Sequence, residues 1–432
     1  MHRKIYSRLL EWKNSKDRRP LMLLGARQVG KTWIMRHFGE QEYSKVVYVN
    51  CDDEPRMKQI FDLDYDIERI LTTLQAITGQ KATPGDTLIV LDEIQEVPRG
   101  LHSLKYFCEK APEYHVMVAG SLLGVTLGSG ESFPVGKVDM LYMYPMDYEE
   151  FLEATGRGEW IGLLHSHDWP LVDALLPKLV ELLRQYYYVG GMPGVVGRYV
   201  ENRDLKQVRM LQHEILDAYG RDISKHTSAA ESVRIRQVLA SLPMQLAKEN
   251  KKFVYGAVRK GSRAKDFELA IQWLLDAGII YKVNRIREPR VPLKFYEDFD
   301  AFKLFLLDCG LLACMADAPA DQMLIGDNVF VEFKGAFTEQ YVLQQLLAVG
   351  LTPYYWSNAK TPAKIDFIVQ QGSRLVPIEV KAEENVRARS LSQFIKDNPG
   401  LKGLRLSMKG YANQEWMENV PLVAIDAFFD QK

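Results

Sequence analysis

The chain has 432 residues, 47% hydrophobic and 26% charged, an ordinary globular composition long enough for about three domains. Its 55 Lys and Arg nearly cancel 56 Asp and Glu, and the net charge of −1 excludes a uniformly basic nucleic-acid coat, so any basic site must be local. Residues 1–20 are charged throughout, and the longest apolar stretch, Leu304 to Ala316, is interrupted by Asp308 and too short to span a bilayer. A cytoplasmic protein with no membrane partner is therefore expected. The four cysteines, at 51, 108, 309 and 314, contain no Cys-x-x-Cys pair and read as reduced packing residues. His165-Ser-His167 lacks a neighbouring carboxylate or cysteine cluster and reads as a surface loop.

In chain order, apolar runs alternate with helix-period segments as far as residue 150, which predicts an α/β unit with a mostly parallel sheet over 1–150. A helical linker or lid is expected over 151–227, with a break at Gly190-Gly191-Met192-Pro193. Two helices and two strand-like segments, IIYKVNRI and LKFYEDF, then predict a winged helix over 228–327. Residues 328–432 begin with a helix, continue into the strands KIDFIVQ and RLVPIEVKA, and predict a third compact α/β unit.

The strongest motif is Gly25-Ala26-Arg27-Gln28-Val29-Gly30-Lys31-Thr32, which fits G-x-x-x-x-G-K-T between an apolar strand and a helix. The glycines permit the tight turn that aims backbone N–H groups and a helix N-terminus at a triphosphate. Lys31 is expected at the β- and γ-phosphates and the Thr32 hydroxyl on Mg²⁺. Sixty residues on, the strand Thr87 to Leu91 ends in Asp92 and Glu93, assigned to the metal shell and to polarising the attacking water. A strand from His115 to Ala119, inserted between the other two, would put Ser121 near the γ-phosphate as a sensor.

These motifs, together with Leu91-Asp-Glu-Ile-Gln95, Ala119-Gly-Ser121, Ser132-Phe-Pro-Val-Gly-Lys137, Gly190-Gly-Met-Pro193 and Ile378-Glu-Val-Lys381, resemble a group of prokaryotic AAA-type ATP-binding proteins with a C-terminal domain of unknown function. The resemblance implies ATP binding and hydrolysis. Lys137 stands where many relatives carry an arginine, and is a candidate for stabilising charge on the phosphates as a point charge without the guanidinium fork. Arg221, or an arginine from another subunit of a homo-oligomer, is the alternative source of that charge.

Between 248 and 265 seven cations face one acid, Glu249. Lys251, Lys252, Arg259, Lys260, Arg263 and Lys265 are candidate DNA contacts, the last two at the start of a helix whose apolar face is Phe267, Ala270, Ile271, Leu274 and Leu275. Further on, Asp366, Glu379 and Lys381 have the order D then E-x-K of Mg²⁺-dependent nucleases. A hairpin turning at Gln371-Gly372 would set Asp366 opposite Pro377 and Lys364 opposite Glu379. Asp366, Glu379 and Lys381 would then share one face, and Ile365, Phe367 and Val369 would pack on the other. Glu339, on the preceding helix, is a further candidate carboxylate. The arrangement resembles a resolvase-type nuclease core, and Lys364 stands where relatives commonly carry a glutamate. The expectation is thus a Mg²⁺-dependent ATPase governing a DNA-acting C-terminal half, or alternatively an ATP-switched interaction protein with an inactive nuclease-like domain.

Overall fold

The computed structural model describes residues 1–120, 134–248, 251–325, 331–358, 363–382 and 388–430. They form two compact units, one of residues 2–144 with 276–279, the other of residue 1 with 145–275 and 280–432.

The first unit is built on five strands, β1 (Leu21–Leu24), β2 (Lys45–Asn50), β3 (Thr87–Asp92), β4 (His115–Ala119) and β5 (Asp139–Tyr142). Every pairing is parallel and the order is β2-β3-β4-β1-β5. Helices α1 (Ile5–Asn14), α2 (Lys31–Glu42), α3 (Pro55–Leu63), α4 (Ile67–Thr78) and α5 (Pro98–Lys110) accompany the sheet. Strands β3 and β4 are buried along their whole lengths, as continuous apolar runs in a helix-covered sheet should be. Strand β4 does lie between β1 and β3. In such a sheet the carboxyl ends of the strands are where ligands bind, and both the glycine-rich loop after β1 and the acids ending β3 are at that edge.

In the second unit, helices Tyr148–Ala154, Glu159–Ser166, Trp169–Val189, Pro193–Asn202 and Leu205–His226 fill the region expected to be a helical linker. Close packing explains its glycine pair. Gly190 has φ +76°, a Cβ on Gly191 would lie 2.0 Å from the Met146 carbonyl oxygen, and the Gly191 N–H donates to Asp308 at 2.6 Å. Asp308 is wholly buried, and that burial pushes its carboxyl up to about 6.

Helices Ala229–Ala247, Tyr255–Val258 and Ala264–Asp276 lead into β6 (Ile280–Ile286) and β7 (Glu297–Leu306). The segment LKFYEDF is not one strand, because Leu293–Tyr296 form a 3-10 turn before β7 begins. The β6–β7 hairpin is also not a closed module of its own. Strands β8 (Tyr354–Ser357), β9 (Lys364–Gln371), β10 (Arg374–Lys381), β11 (Gly403–Ser407), β12 (Ala412–Asn413) and β13 (Met417–Pro421) join it in an eight-stranded sheet of order β12-β13-β11-β10-β9-β8-β6-β7. Arg285 of β6 pairs with Tyr355 of β8, so the two regions expected to be separate share one hydrogen-bonded ladder. Among the described residues, no helix is long and apolar enough to cross a membrane.

Candidate functional site

The loop after β1 is held by backbone geometry that its sequence permits. Gly25 has φ +147°, and a Cβ there would lie 2.3 Å from the Met143 carbonyl oxygen. Gln28 and Gly30 also take positive φ, 66° and 95°, and the Gly30 carbonyl accepts the first α2 bond from Ile34 N at 3.0 Å. Ala26 and Val29 are buried and Arg3 donates to the Val29 carbonyl at 2.9 Å, so the loop is anchored at both ends. Helix α2 is fixed by Ile34, Met35 and Phe38, all fully buried, each contributing about 1.5–3 kcal/mol.

Lys31 is buried and its ammonium donates to the carbonyls of Gly25 and Ala26, both at 2.7 Å. Burial pushes its pKa down to about 8, against the opposing pull of Glu93 and Asp92. Next to it, the Thr32 hydroxyl donates to Asp92 Oδ2 at 2.5 Å, closing the loop onto the end of β3. The same oxygen accepts from the Tyr48 hydroxyl at 3.1 Å, and Asp92 Oδ1 accepts from Glu93 N at 3.1 Å. Glu93 has φ +50°, a strained conformation for a residue with a side chain, and its Oε2 accepts from the Gln95 amide. Gln95 is buried with its Oε1 unpartnered. Tyr48 and Gln95 hold the two acids, yet neither has a role by motif. The signal available for Gln95 was its place two residues after Glu93, and Tyr48 had none, since only the parallel pairing of β2 with β3 brings it there.

Other expected members of this site fare differently. Ser121 lies outside the described residues. Lys137 is not brought to the loop, which corrects its candidacy. Leu21 pairs with Asp139 in a parallel ladder, so Lys137 is level with the amino-terminal edge of the sheet, about 20 Å along the strand direction from the loop. There it pairs with Glu109 at 2.9 Å. Arg221 is an exposed residue of helix Leu205–His226, in the other unit.

The C-terminal acids form a second cluster. Strand β10 pairs with β9 through Arg374 opposite Gln371 and Ile378 opposite Phe367, so Asp366 comes level with Glu379 rather than Pro377, and Lys364 is not opposite Glu379. The turn is Gly372-Ser373, because Gly372 is the residue that takes the left-handed φ, +58°. Against β8, β9 carries one extra residue between Ile365 and Ile368. This bulge puts Ile365 and Ile368 in the same apolar cluster and breaks the expected alternation of faces.

Asp366, Glu379 and Glu339 are all buried. Glu339, on helix Val331–Ala348, takes Lys251 on Oε1 at 2.5 Å and Lys303 on Oε2 at 3.3 Å, and these cations hold its carboxyl well below the usual range. Asp366 Oδ2 accepts from Val380 N at 3.0 Å, its Oδ1 is unpartnered, and burial with the nearby Glu339 charge raises its pKa. Glu379 pairs with Lys381 at 2.6 Å. Lysine ammonium groups are thus seated on Glu339 and Glu379 but not on Asp366, and among the described residues no group of three His, Cys, Asp or Glu side chains is placed to hold a metal ion.

Lys251 is therefore withdrawn from the expected DNA contacts, buried and bonded to Glu339 and to the Gly335 carbonyl. Lys252 is half-buried, whereas Arg259, Lys260, Arg263 and Lys265 are exposed. Sequence reasoning missed Lys303, whose ammonium also lies 5.6 Å from the Phe367 ring centre. His165 bonds Glu149 at 2.9 Å at the end of a helix, not in a loop.

Comparison with known families gives the first site its name. A family model described as an AAA domain matches residues 17–152. That segment is similar to an AAA domain. Two further models, both described as domains of unknown function (DUF8612 and DUF4143), match residues 180–322 and 334–428. No curated protein matches the chain. Among solved structures the chain is similar to the Walker-type ATPase paby2304 of Pyrococcus abyssi, at 17% identity and TM-score 0.47 over 73% of this chain and 95% of that one. It is also similar to the Aeropyrum pernix ORC2 protein in ADPNP-ADP complexes, at 14% identity and TM-score 0.34 over 77% and 91%. A third is the Aeropyrum pernix ORC1 protein in complex with DNA, at 15% identity and TM-score 0.29 over 74% and 93%.

Proposed function

We propose that this AAA-domain protein is a Mg²⁺-dependent ATPase whose C-terminal acidic cluster does not cleave nucleic acid. The observation that carries the first half is the Thr32 to Asp92 hydrogen bond. It joins the glycine-rich loop to the acid strand and sets a hydroxyl beside a carboxylate, a hard-oxygen donor pair suited to Mg²⁺. A bound Mg²⁺ would screen the phosphate charge there. The Gly25 to Gly30 loop supplies N–H donors to the triphosphate, and the Lys31 ammonium exchanges its two carbonyl partners for phosphate oxygens. Glu93, oriented by Gln95, accepts a proton from the water that attacks the γ-phosphate, giving ADP and inorganic phosphate.

Calorimetric titration of the full chain with ATP, with and without Mg²⁺, tests binding, and Glu93→Gln tests chemistry. The variant should bind ATP as the parent does and lose about 10²–10⁴ in turnover; undiminished turnover rejects Glu93 as the water-orienting residue.

The second half rests on the lysines seated on Glu339. It favours the reading in which the C-terminal region serves as an interaction module. The order helix, short helix, helix, β6, β7 within 228–327 supports a winged-helix reading whose hairpin is shared with the larger sheet, and the exposed Arg259, Lys260, Arg263 and Lys265 would meet DNA phosphates. Anisotropy of a labelled duplex should show affinity falling with salt, with a slope lowered by about 1 for each of these cations that contacts phosphate and is removed. A slope unchanged in an Arg263→Ala, Lys265→Ala double variant rejects that contact.

A further inference from the structure

Helix α2 carries, one residue past Thr32, an aromatic pair that neither the fold nor the hydrolysis scheme uses. Trp33 is 44% exposed, while its neighbours Ile34 and Met35 are fully buried. Its indole stacks on the His37 imidazole, ring centres 4.6 Å apart and planes 17° from parallel. Side chains on a helix lean toward its N-terminus, so His37, one turn later, covers the indole face that looks toward the C-terminus. The other face looks toward the start of α2, where the glycine-rich loop ends.

The surroundings divide α2 into two flanks. On one, Thr32 bonds Asp92, and Arg36 lies 4.9 Å from the ring centre of Tyr48, which itself donates to Asp92. On the other, a step of about 100° round the helix, Trp33 stacks on His37, whose ring centre lies 6.1 Å from that of Tyr6 on α1. A nucleotide with its terminal phosphates at Lys31, Thr32 and Asp92 therefore has its base end directed away from the acids, toward the second flank. The indole there is large, flat, 44% exposed and backed by the His37 ring, which is what base stacking requires.

We propose that Trp33, backed by His37, is the platform on which the nucleobase of the bound nucleotide stacks. The proposal rests on the nucleotide site proposed above and adds the residue that holds the base. Stacking on an aromatic ring is tolerant of base identity, so it confers preference for a nucleoside triphosphate over a bare polyphosphate more than for one base over another.

The test is a pair of titrations on the full chain, with Mg²⁺-ATP and with Mg²⁺-tripolyphosphate. Trp33→Ala should bind ATP about 5- to 150-fold more weakly, the range that corresponds to stacking of one base, and bind tripolyphosphate as the parent does. Trp33→Phe should recover most of the ATP affinity. Tryptophan emission of the parent should change with ATP and not with tripolyphosphate, and that difference should vanish in Trp33→Phe. If Trp33→Ala binds ATP like the parent, or loses both ligands equally, the platform is wrong while the nucleotide site stands. If the parent binds neither ligand, the platform falls together with the site.

Discussion

The two clusters of Lys, Asp and Glu in this chain contain the same residue types and differ in how charge is distributed between them. At the glycine-rich loop, Lys31 places its hydrogen bonds on neutral carbonyls and Asp92 takes a hydroxyl from Thr32. Those partners can be exchanged for phosphate oxygens without stranding a charge. In the C-terminal cluster each of Glu339 and Glu379 is bonded directly to an ammonium group. Displacing a lysine there leaves a buried carboxylate uncompensated, which costs several kcal/mol. Residue type alone does not make a site; the cations must be held where a ligand can take them over.

Removing a cation tests this contrast most sharply in the sealed cluster. Lys251→Met should lower stability by about 3–5 kcal/mol, because Glu339 loses its shorter ion pair and keeps the longer contact with Lys303, and chemical denaturation measures it. A loss below about 1 kcal/mol would mean that the network does not hold the segment in place. At the loop, Lys31→Ala should weaken ATP binding by about 2–5 kcal/mol with little change in the unfolding midpoint, the reverse pattern. Parallel titration and denaturation of the two variants separates ligand-directed from fold-directed lysines.

A smaller effect comes from the depressed pKa of Lys31. A bound triphosphate favours the charged ammonium, so binding takes up a proton between the free value of about 8 and the higher bound value. Affinity should fall as pH rises through that window. Calorimetry near pH 8.5 in buffers of different ionisation enthalpy should detect uptake approaching one proton in the parent and none in Lys31→Ala. The smallest expected change is in Tyr48→Phe, which removes one hydrogen bond from Asp92 and should cost about 1 kcal/mol of stability or Mg²⁺-ATP affinity. Finally, on the proposal that the C-terminal acids take no metal, Mg²⁺ or Mn²⁺ alone should shift the unfolding midpoints of Glu93→Gln and Asp366→Ala equally, and a shift lost in Asp366→Ala alone would overturn it.

Much of the first site was legible in advance for a local reason. A glycine-rich turn between a strand and a helix is specified by neighbours in sequence, so Gly25 to Thr32 announces its own backbone shape, and the apolar run ending at Asp92 announces a strand with acids at its tip. What brings Thr32 and Tyr48 to the same Asp92 oxygen is strand order, which no local pattern carries. Lys137 shows the same limit from the other side: its Val-Gly-Lys setting resembles a functional segment, yet the parallel register of β5 on β1 carries it to the opposite edge.

In the C-terminal half the hairpin was legible, and its register was misjudged by two residues because the turn starts at Gly372, one residue later than Gln371. Since side chains alternate, a two-residue shift preserves the face and changes the partner, which is why Asp366 and Glu379 still come together. The bulge at Asp366 and the lysines on Glu339 were not legible. Lys251 lies 88 residues from Glu339 and Lys303 lies 36 away, and charge counting along the chain placed Lys251 on a solvent face.

The amino-acid sequence by itself determined the phosphate-binding loop, the acid strand and the hairpin, because backbone dihedral preferences and apolar periodicity act between near neighbours. Tertiary structure alone decided which lysines face a ligand and which neutralise a buried acid. The energy of a charge depends on what surrounds it in space, and in this chain those surroundings come from residues far apart along the backbone.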